Sequence, residues 1–387
     1  MAESAMTRRG ERERYDIKLL QVDWGFALVL SLIAGIGALV LYSVGGMSWE
    51  PWAYNHVLRF GLCFVVMILL SLIDLRWWML LAYPAYGVSL LLLVAVELVG
   101  DVRMGAQRWL EIGSFSMQPS EFMKLAIVMA LARWYHEAGT KDAVLSWKLF
   151  IPFTMIMVPV LLVAHQPDLG TAMLILLTGI TVMIVAGLDW RVIATAAVGG
   201  IVAVPFFVMF VMHDYQRKRI LTFLNPEADP SGDGYHILQS KIAIGSGGLL
   251  GKGLGLGSQS QLSFLPEKHT DFILAAVGEE LGFLGAFTVF ALYALAVFMA
   301  LRIASLSHSH FGRLAAAGVT ATFALYVLIN GAMVMGLAPV VGVPQPLLSY
   351  GGSVMTTVMI GFGLVMGVKV HRYQELPRTQ SFLSHFE

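Results

Sequence analysis

Gly25-Phe26-Ala27-Leu28-Val29-Leu30-Ser31-Leu32-Ile33-Ala34-Gly35-Ile36-Gly37-Ala38-Leu39-Val40-Leu41-Tyr42-Ser43-Val44-Gly45 runs without a single charge. As a helix this stretch is about 30 Å long, the thickness of a bilayer's hydrocarbon layer. Arg8, Arg9, Arg12 and Arg14 precede it and no convincing small-residue cleavage site follows, so it reads as an uncleaved first span. Similar runs recur at 57–74, 77–99, 119–135, 149–165, 170–188, 191–212, 272–301, 313–335 and 346–370, making ten predicted spans. The 387 residues are 57% hydrophobic and 13% charged, with mean hydropathy +0.74. Soluble domains carry about 25% charged residues. The predicted fold class is an all-α polytopic membrane protein. A formal net charge of zero removes any bulk attraction to nucleic acid. Cys63, the one cysteine, excludes an intrachain disulfide and argues against a thiol metal site.

The distribution of Lys and Arg orients the spans. With both termini cytoplasmic, the inner side collects Lys18, Arg76, Arg133, Lys141, Lys148, Arg191, Arg302, Arg313, Lys369, Arg372 and Arg378, while the short outer loops hold only Arg103 and Arg108. This gives an N-terminal tail over 1–24, one membrane domain over 25–370 and a C-terminal tail over 371–387. The connection between spans seven and eight, 213–271, lies outside despite Arg217, Lys218, Arg219, Lys241, Lys252 and Lys268, because long loops translocate largely regardless of charge. A structureless loop of that length is unusual. Its middle, Tyr235 to Ile244, has the mixed polarity of a helix lying at the membrane interface.

Polar residues in or near spans are costly and need an account. Asp168 follows Gln166 and Pro167 in an outer turn, where a helix cap is the plain reading. Glu121 and Lys124 share one face of span four, as a simple ion pair would. Arg108 and Trp109 precede that span. Asp271 opens span eight, either as a cap or as a chemical group, after Glu267, Lys268, His269 and Thr270. Glu279 and Glu280 read best as glue between helices. Ser349-Tyr350-Gly351-Gly352-Ser353 could be close helix packing, and Arg217 to Arg219 could anchor lipid head groups. In the deduced topology all of these lie on the outer side. Two tempting motifs fail: Gly247 to Gly253 lacks the first Gly and the Ser or Thr of a phosphate loop. Asp229 to Ser240 lacks the bidentate Glu of a calcium loop. Histidines 165, 213, 236 and 269 are too scattered for zinc. Cations and carboxylates beside a basic loop suit an amphiphile with an anionic head and a lipid tail. Both an enzyme acting on a lipid-linked pyrophosphate and a transporter of such a lipid fit. A transporter keeps its charges near the midplane, so crowding on one side favours the enzyme.

Several ordered segments resemble the SEDS family (shape, elongation, division and sporulation proteins). They are Arg108-Trp109; Gln118 to Lys124; His165 to Thr171; Tyr215 to Arg217; Gly234 to His236; Gln239-Ser240; Gly245 to Gly248; Leu265 to Phe272; Gly278 to Gly282; and Pro344 to Ser353. Gln259 to Asp271, with Asp229-Pro230 and Gly234-Tyr235-His236, is most similar to the elongation branch rather than the division branch. Gln345 departs from the family's usual apolar residue. The resemblance implies a peptidoglycan glycosyltransferase that polymerises lipid II outside the cytoplasmic membrane and releases undecaprenyl pyrophosphate. It implies a class B penicillin-binding protein as transpeptidase partner, other elongation-complex membrane proteins, and no nucleic acid. It also carries the catalytic aspartate onto Asp271, as base for the attacking sugar hydroxyl in a single inverting displacement. Lys124, Arg108, Arg217 and Arg219 are then candidates for the pyrophosphate, with Glu121 orienting Lys124. Asp168, Lys268, His269, Ser349 and Tyr350 complete the expected substrate-binding set. A divalent cation, magnesium or manganese, is the inorganic cofactor this chemistry invites, and no organic one is expected. A lipid II flippase and a non-catalytic scaffold are the alternatives.

Overall fold

The computed structural model describes residues 18–103, 106–112, 115–138, 147–195, 198–199, 217, 219, 221–223, 225, 232–262, 264–265 and 267–377. The first predicted span is helix α1, Trp24–Val44, started by the Asp23 carboxylate, which accepts from the Phe26 N–H at 3.1 Å. One wide turn, Trp49–Ala53, leads into α2, Tyr54–Ser71, and then α3 follows, Leu75–Val99. Where a plain outer loop was expected, strands β1 (Asp101–Arg103), β2 (Ala106–Ile112) and β3 (Phe115–Met117) form an antiparallel meander. The expectation of a helical membrane fold stands, with this short meander added to it. Backbone between two spans still needs hydrogen-bond partners, and short paired strands supply them. The rest of the described chain is mostly helical.

Next come α4 (Pro119–Ala138), α5 (Phe150–His165) and α6 (Leu169–Val185). Most of predicted span seven lies outside the described residues; 190–195 and 198–199 are helical. The helix expected over 235–244 is α7, Asp233–Ser246. It packs against α9 (Ile273–Glu280) and against α11 (His310–Val334), to which Ser240 Oγ donates at the Val334 carbonyl. A single turn, α8 (Ser258–Gln261), precedes α9, and α12 (Gly352–Val370) ends the bundle. Although α4 carries Glu121, Lys124, Arg133 and Glu137, it is the enclosed helix, packed by α3, α5, α6, α11 and α12. The most apolar window of Trp49–Ser71, the wide turn with α2, is only 17% buried while that of α12 is 78% buried, so α2 is peripheral and α12 central. Among the described residues six helices are long and apolar enough to cross a membrane, with α5 and α6 shorter apolar ones.

Predicted span eight is not one helix. It breaks at Leu281, and α10 (Gly282–Ser305) continues after a left-handed residue, Gly282, at φ 68°. A break leaves carbonyls and N–H groups without helical partners. The glycine-rich turn rejected above as a phosphate loop supplies them. Lys252 and Gly253 donate to the carbonyls of Glu279 and Glu280 at 3.0 Å each. Phe283 and Leu284 donate to the carbonyls of Gly248 and Leu249 at 2.9 and 3.1 Å. The backbones meet so closely that a Cβ on Gly251 would strike the Glu280 carbonyl oxygen. Glu279 and Glu280 act as the glue expected of them. Glu279 accepts from Lys252 Nζ at 2.7 Å and from the N–H groups of Gln259 and Ser260, and Glu280 accepts from Ser43 Oγ at 2.5 Å.

Gly251, at φ 82°, combines a collision with a left-handed backbone. Gly251→Ala is expected to cost more than about 2 kcal/mol, from strain plus the broken bonds by which the 247–253 turn forms a plug for the break. Gly245→Ala, with open space around its Cβ, should be neutral. Thermal melts of the two purified variants check this, and equal midpoints would remove the plug from the account of the break.

Candidate active site

Asp271 sits on a turn, 267–272, built around Glu267 at φ 51°. The Glu267 carbonyl accepts from Thr270 and Phe272 N–H at 3.1 and 3.2 Å, and its carboxylate accepts from Thr270 Oγ1 at 2.8 Å. Three successive carbonyls of this turn are then tied to other parts of the chain. Tyr350 N–H donates to the His269 carbonyl at 2.8 Å, Ser349 Oγ to that of Thr270 at 2.6 Å, and Asn330 Nδ2 to that of Asp271 at 2.7 Å. The backbone is held while the Asp271 carboxylate accepts no hydrogen bond from a described residue. The N-cap reading of Asp271 is corrected: the cap residue of α9 is Phe272, and no side chain caps that helix. Burial raises the Asp271 carboxyl to about 7, the Glu267 carboxylate adds to this, and Arg219 opposes both.

The other half of the site is gathered by residues 340–343. The Val340 carbonyl accepts from Arg219 at 3.3 Å. The Val341 carbonyl lies against Gly170 at the start of α6, and Gly342 lies beside the Asp271 carboxylate. The Val343 carbonyl accepts from Asn330 Nδ2 at 2.7 Å. Asp168 caps α6, accepting from Thr171 N–H at 3.2 Å, and is also paired with Arg108 at 3.6 Å and bonded by Gln118. The cap and the ion pair therefore coexist. Arg108 donates in addition to the Pro167 carbonyl.

Glu121 and Lys124 are bonded at 2.6 Å and almost wholly buried, as the ion-pair reading has it. Tyr326 on α11 donates to the second oxygen of Glu121, and its ring lies 4.5 Å from the Lys124 ammonium. Tyr326 and Asn330 are four residues apart, on one face of α11, so this helix joins the buried pair to the Asp271 turn. Beside Lys124 a small pocket is lined mainly by apolar side chains, among them Val128, Phe323 and Phe362.

The remaining expected residues fall elsewhere. Lys268 is drawn to the Ser260 carbonyl at 2.6 Å, and burial lowers its proton affinity. His269 is stacked on Trp52 at 4.2 Å, and burial, helped by Lys268, lowers it to about 4. Its imidazole is therefore neutral at physiological pH. Arg217 is exposed. Tyr350 meets Trp52 edge to face and lies under the Arg59 guanidinium, 4.5 Å from its ring centroid. Sequence reasoning missed Arg59, Tyr326, Asn330 and Gly342. Arg59 alone carried a usable signal, an arginine inside an apolar run.

A family described as cell cycle proteins, and named for FtsW, RodA and SpoVE, matches residues 20–374. The chain belongs to this SEDS family. It is 43% identical over 353 residues to "Peptidoglycan glycosyltransferase MrdB" of Escherichia coli K12, covering 91% of this chain and 95% of that protein. It is 37% identical over 366 residues to "Probable peptidoglycan glycosyltransferase FtsW" of Trichlorobacter lovleyi, covering 92% and 95%. A solved chain from work on the structural coordination of polymerization and crosslinking by a peptidoglycan synthase complex superposes with TM-score 0.80 at 32% identity, covering 91% of this chain and 99% of that one.

Lys124→Met strands a buried carboxylate, a loss of about 3–5 kcal/mol in comparable buried pairs. Adding Glu121→Gln should recover much of this, since Gln still accepts from Tyr326 and leaves no bare charge. Melting of the single and double variants decides; a double variant below the Lys124→Met single one counts against the ion pair.

Proposed function

We infer that this SEDS-family membrane protein is a peptidoglycan glycosyltransferase that polymerises lipid II with Asp271 as its base. The observation that carries the role of Asp271 is a carboxylate with raised proton affinity and no bonded partner among the described residues, on a turn whose backbone is fixed. A sugar hydroxyl is a poor nucleophile, and a base with a proton affinity near the working pH removes its proton most effectively during attack. In this reading the 4-hydroxyl of the lipid II N-acetylglucosamine loses its proton to Asp271. Its oxygen bonds to the anomeric carbon of the strand's terminal N-acetylmuramic acid, and undecaprenyl pyrophosphate departs from the opposite face with the bonding pair. Inversion in one step needs no second carboxylate as nucleophile.

The departing pyrophosphate needs positive charge. Arg108, whose side chain is 27% exposed, and Arg219 are the cations open to it. Lys124, matched by Glu121 in the core, is closed to the pyrophosphate and holds the geometry beneath it. Among the described residues no three His, Cys, Asp or Glu side chains converge as metal ligands. A divalent ion would thus arrive on the phosphates, as magnesium does where the protein offers at most one or two carboxylates. Ten spans with both termini inside, the site facing out and the site's lipids entering from the bilayer complete the proposal. Identity of 43% to MrdB against 37% to FtsW supports the elongation branch, and the synthase-complex relative supports a class B penicillin-binding protein as crosslinking partner.

Asp271→Asn should lower polymerisation of purified lipid II, with the partner present, by about 100-fold or more without changing the melting midpoint. Wild-type kcat/KM should rise as pH passes upward through about 7, where Asp271 gives up its proton. Near-normal polymer from Asp271→Asn would remove it from the chemistry. EDTA should slow polymerisation, and added magnesium or manganese should restore it. An unchanged rate in EDTA would dismiss the ion.

A further inference from the structure

Asn330 belongs to neither the base nor the cations. It is wholly buried on α11, and its Nδ2 donates at 2.7 Å to the Asp271 carbonyl and at 2.7 Å to the Val343 carbonyl. Two acceptors on one nitrogen fix the orientation of the amide, because only the NH2 end can donate. Its Oδ1 is buried without a partner among the described residues. An unpaired buried oxygen is costly, and an apolar side chain at this position would avoid that cost. The two donations are what such a residue supplies here. They tie the 267–272 turn to the 340–343 segment, the two pieces of backbone between which the Asp271 carboxylate stands.

We propose that Asn330 is a positioning residue for Asp271, fixing the carboxylate against Gly342 and between Glu267 and Arg219. The proposal rests on the reading of Asp271 as the base. The charged groups around that carboxylate can be named. Glu267 comes from its own turn and Arg219 from the preceding segment. Lys268 is drawn to Ser260, and His269 is stacked on Trp52. From α7, His236 stacks on Phe272 with centroids 5.9 Å apart, and Lys241 lies against Gly336. The outer turns of α11 and residues 338–351 contribute no charge.

Two substitutions perturb this clamp in opposite senses. Asn330→Ala releases the turn and lets water reach the carboxylate, which reverses the burial that holds its proton. The acid limb of the pH profile for lipid II polymerisation should move down by about half a unit or more, and kcat should fall about ten- to a hundredfold for a base displaced by an ångström or so. Asn330→Asp keeps the shape, removes the donors and adds a negative charge, so the limb should move up. Both are measured on full-length protein with its partner, beside the melting midpoint. If Asn330→Ala fails to fold, the isosteric Asn330→Asp decides by itself. Limbs that stay at the wild-type pH, or that move together, overturn the proposal whatever activity is lost, because a merely structural role does not retune one carboxyl. Asp271→Asn is run alongside. Polymer from that variant defeats the reading of the base itself, whereas an inactive Asp271→Asn with unmoved Asn330 limbs defeats only the positioning role.

Discussion

The hydrogen bonds to three consecutive carbonyls, at His269, Thr270 and Asp271, are the constraint on which the site depends. A carboxylate on a loop ordinarily shares the loop's motion. Here the donors come from Tyr350, Ser349 and Asn330, on the segment leading into α12 and on α11, both central to the bundle. The precision of two packed helices is thereby passed to a turn outside any helix. The left-handed Glu267 makes this possible, since it folds the chain back tightly enough for neighbouring carbonyls to reach separate donors.

A second constraint lies beneath the first. The Asp271 turn feeds α9, which ends in a break, and a broken helix is tolerable near a membrane only if its freed polar groups find partners in protein. The 247–253 turn provides them through backbone contacts that exclude any side chain at Gly251. Glu279 and Glu280 hold the neighbouring segments in place through Lys252, Ser43 and Ser260. The break lets α9 leave the line of α10, so the turn before α9 can bend back over the bundle toward α11 and α12.

The sequence made the apolar helices legible, because uninterrupted runs near twenty residues have few other uses. The cap at Asp168 and the pair Glu121–Lys124 were also legible, since both are local and follow from spacing. The break at Leu281 was not. Gly282 in an apolar run looks like a small packing residue until the 247–253 turn is seen to need its backbone. The β meander was hidden because its strands, at three to seven residues, are too short to show a period. Asp271 is singled out as a base by resemblance to a family, not by pattern; pattern alone puts it one residue from its position relative to α9. Tyr326 and Asn330 could not be singled out, because a hydroxyl and an amide inside a span declare nothing until their partners, far along the chain, are in place.

With Asp271 as the proposed base, those two residues also explain how one small region holds both it and the charges proposed for a leaving group. A cation bonded directly to Asp271 would lower its proton affinity and make it a poorer base. The ammonium of Lys124 is instead matched by Glu121, so the buried pair carries little net field. The Arg108 guanidinium is likewise matched by Asp168. Arg219, held by the Val340 carbonyl, moderates Asp271 without cancelling the effect of burial. In the proposed reading, an incoming pyrophosphate competes for the Arg108 guanidinium, with its carboxylate at 3.6 Å, far more readily than for the 2.6 Å pair in the core. Arg108 is then the cation proposed to answer to substrate, while the tightly paired Lys124 keeps the geometry that α11 transmits to the turn.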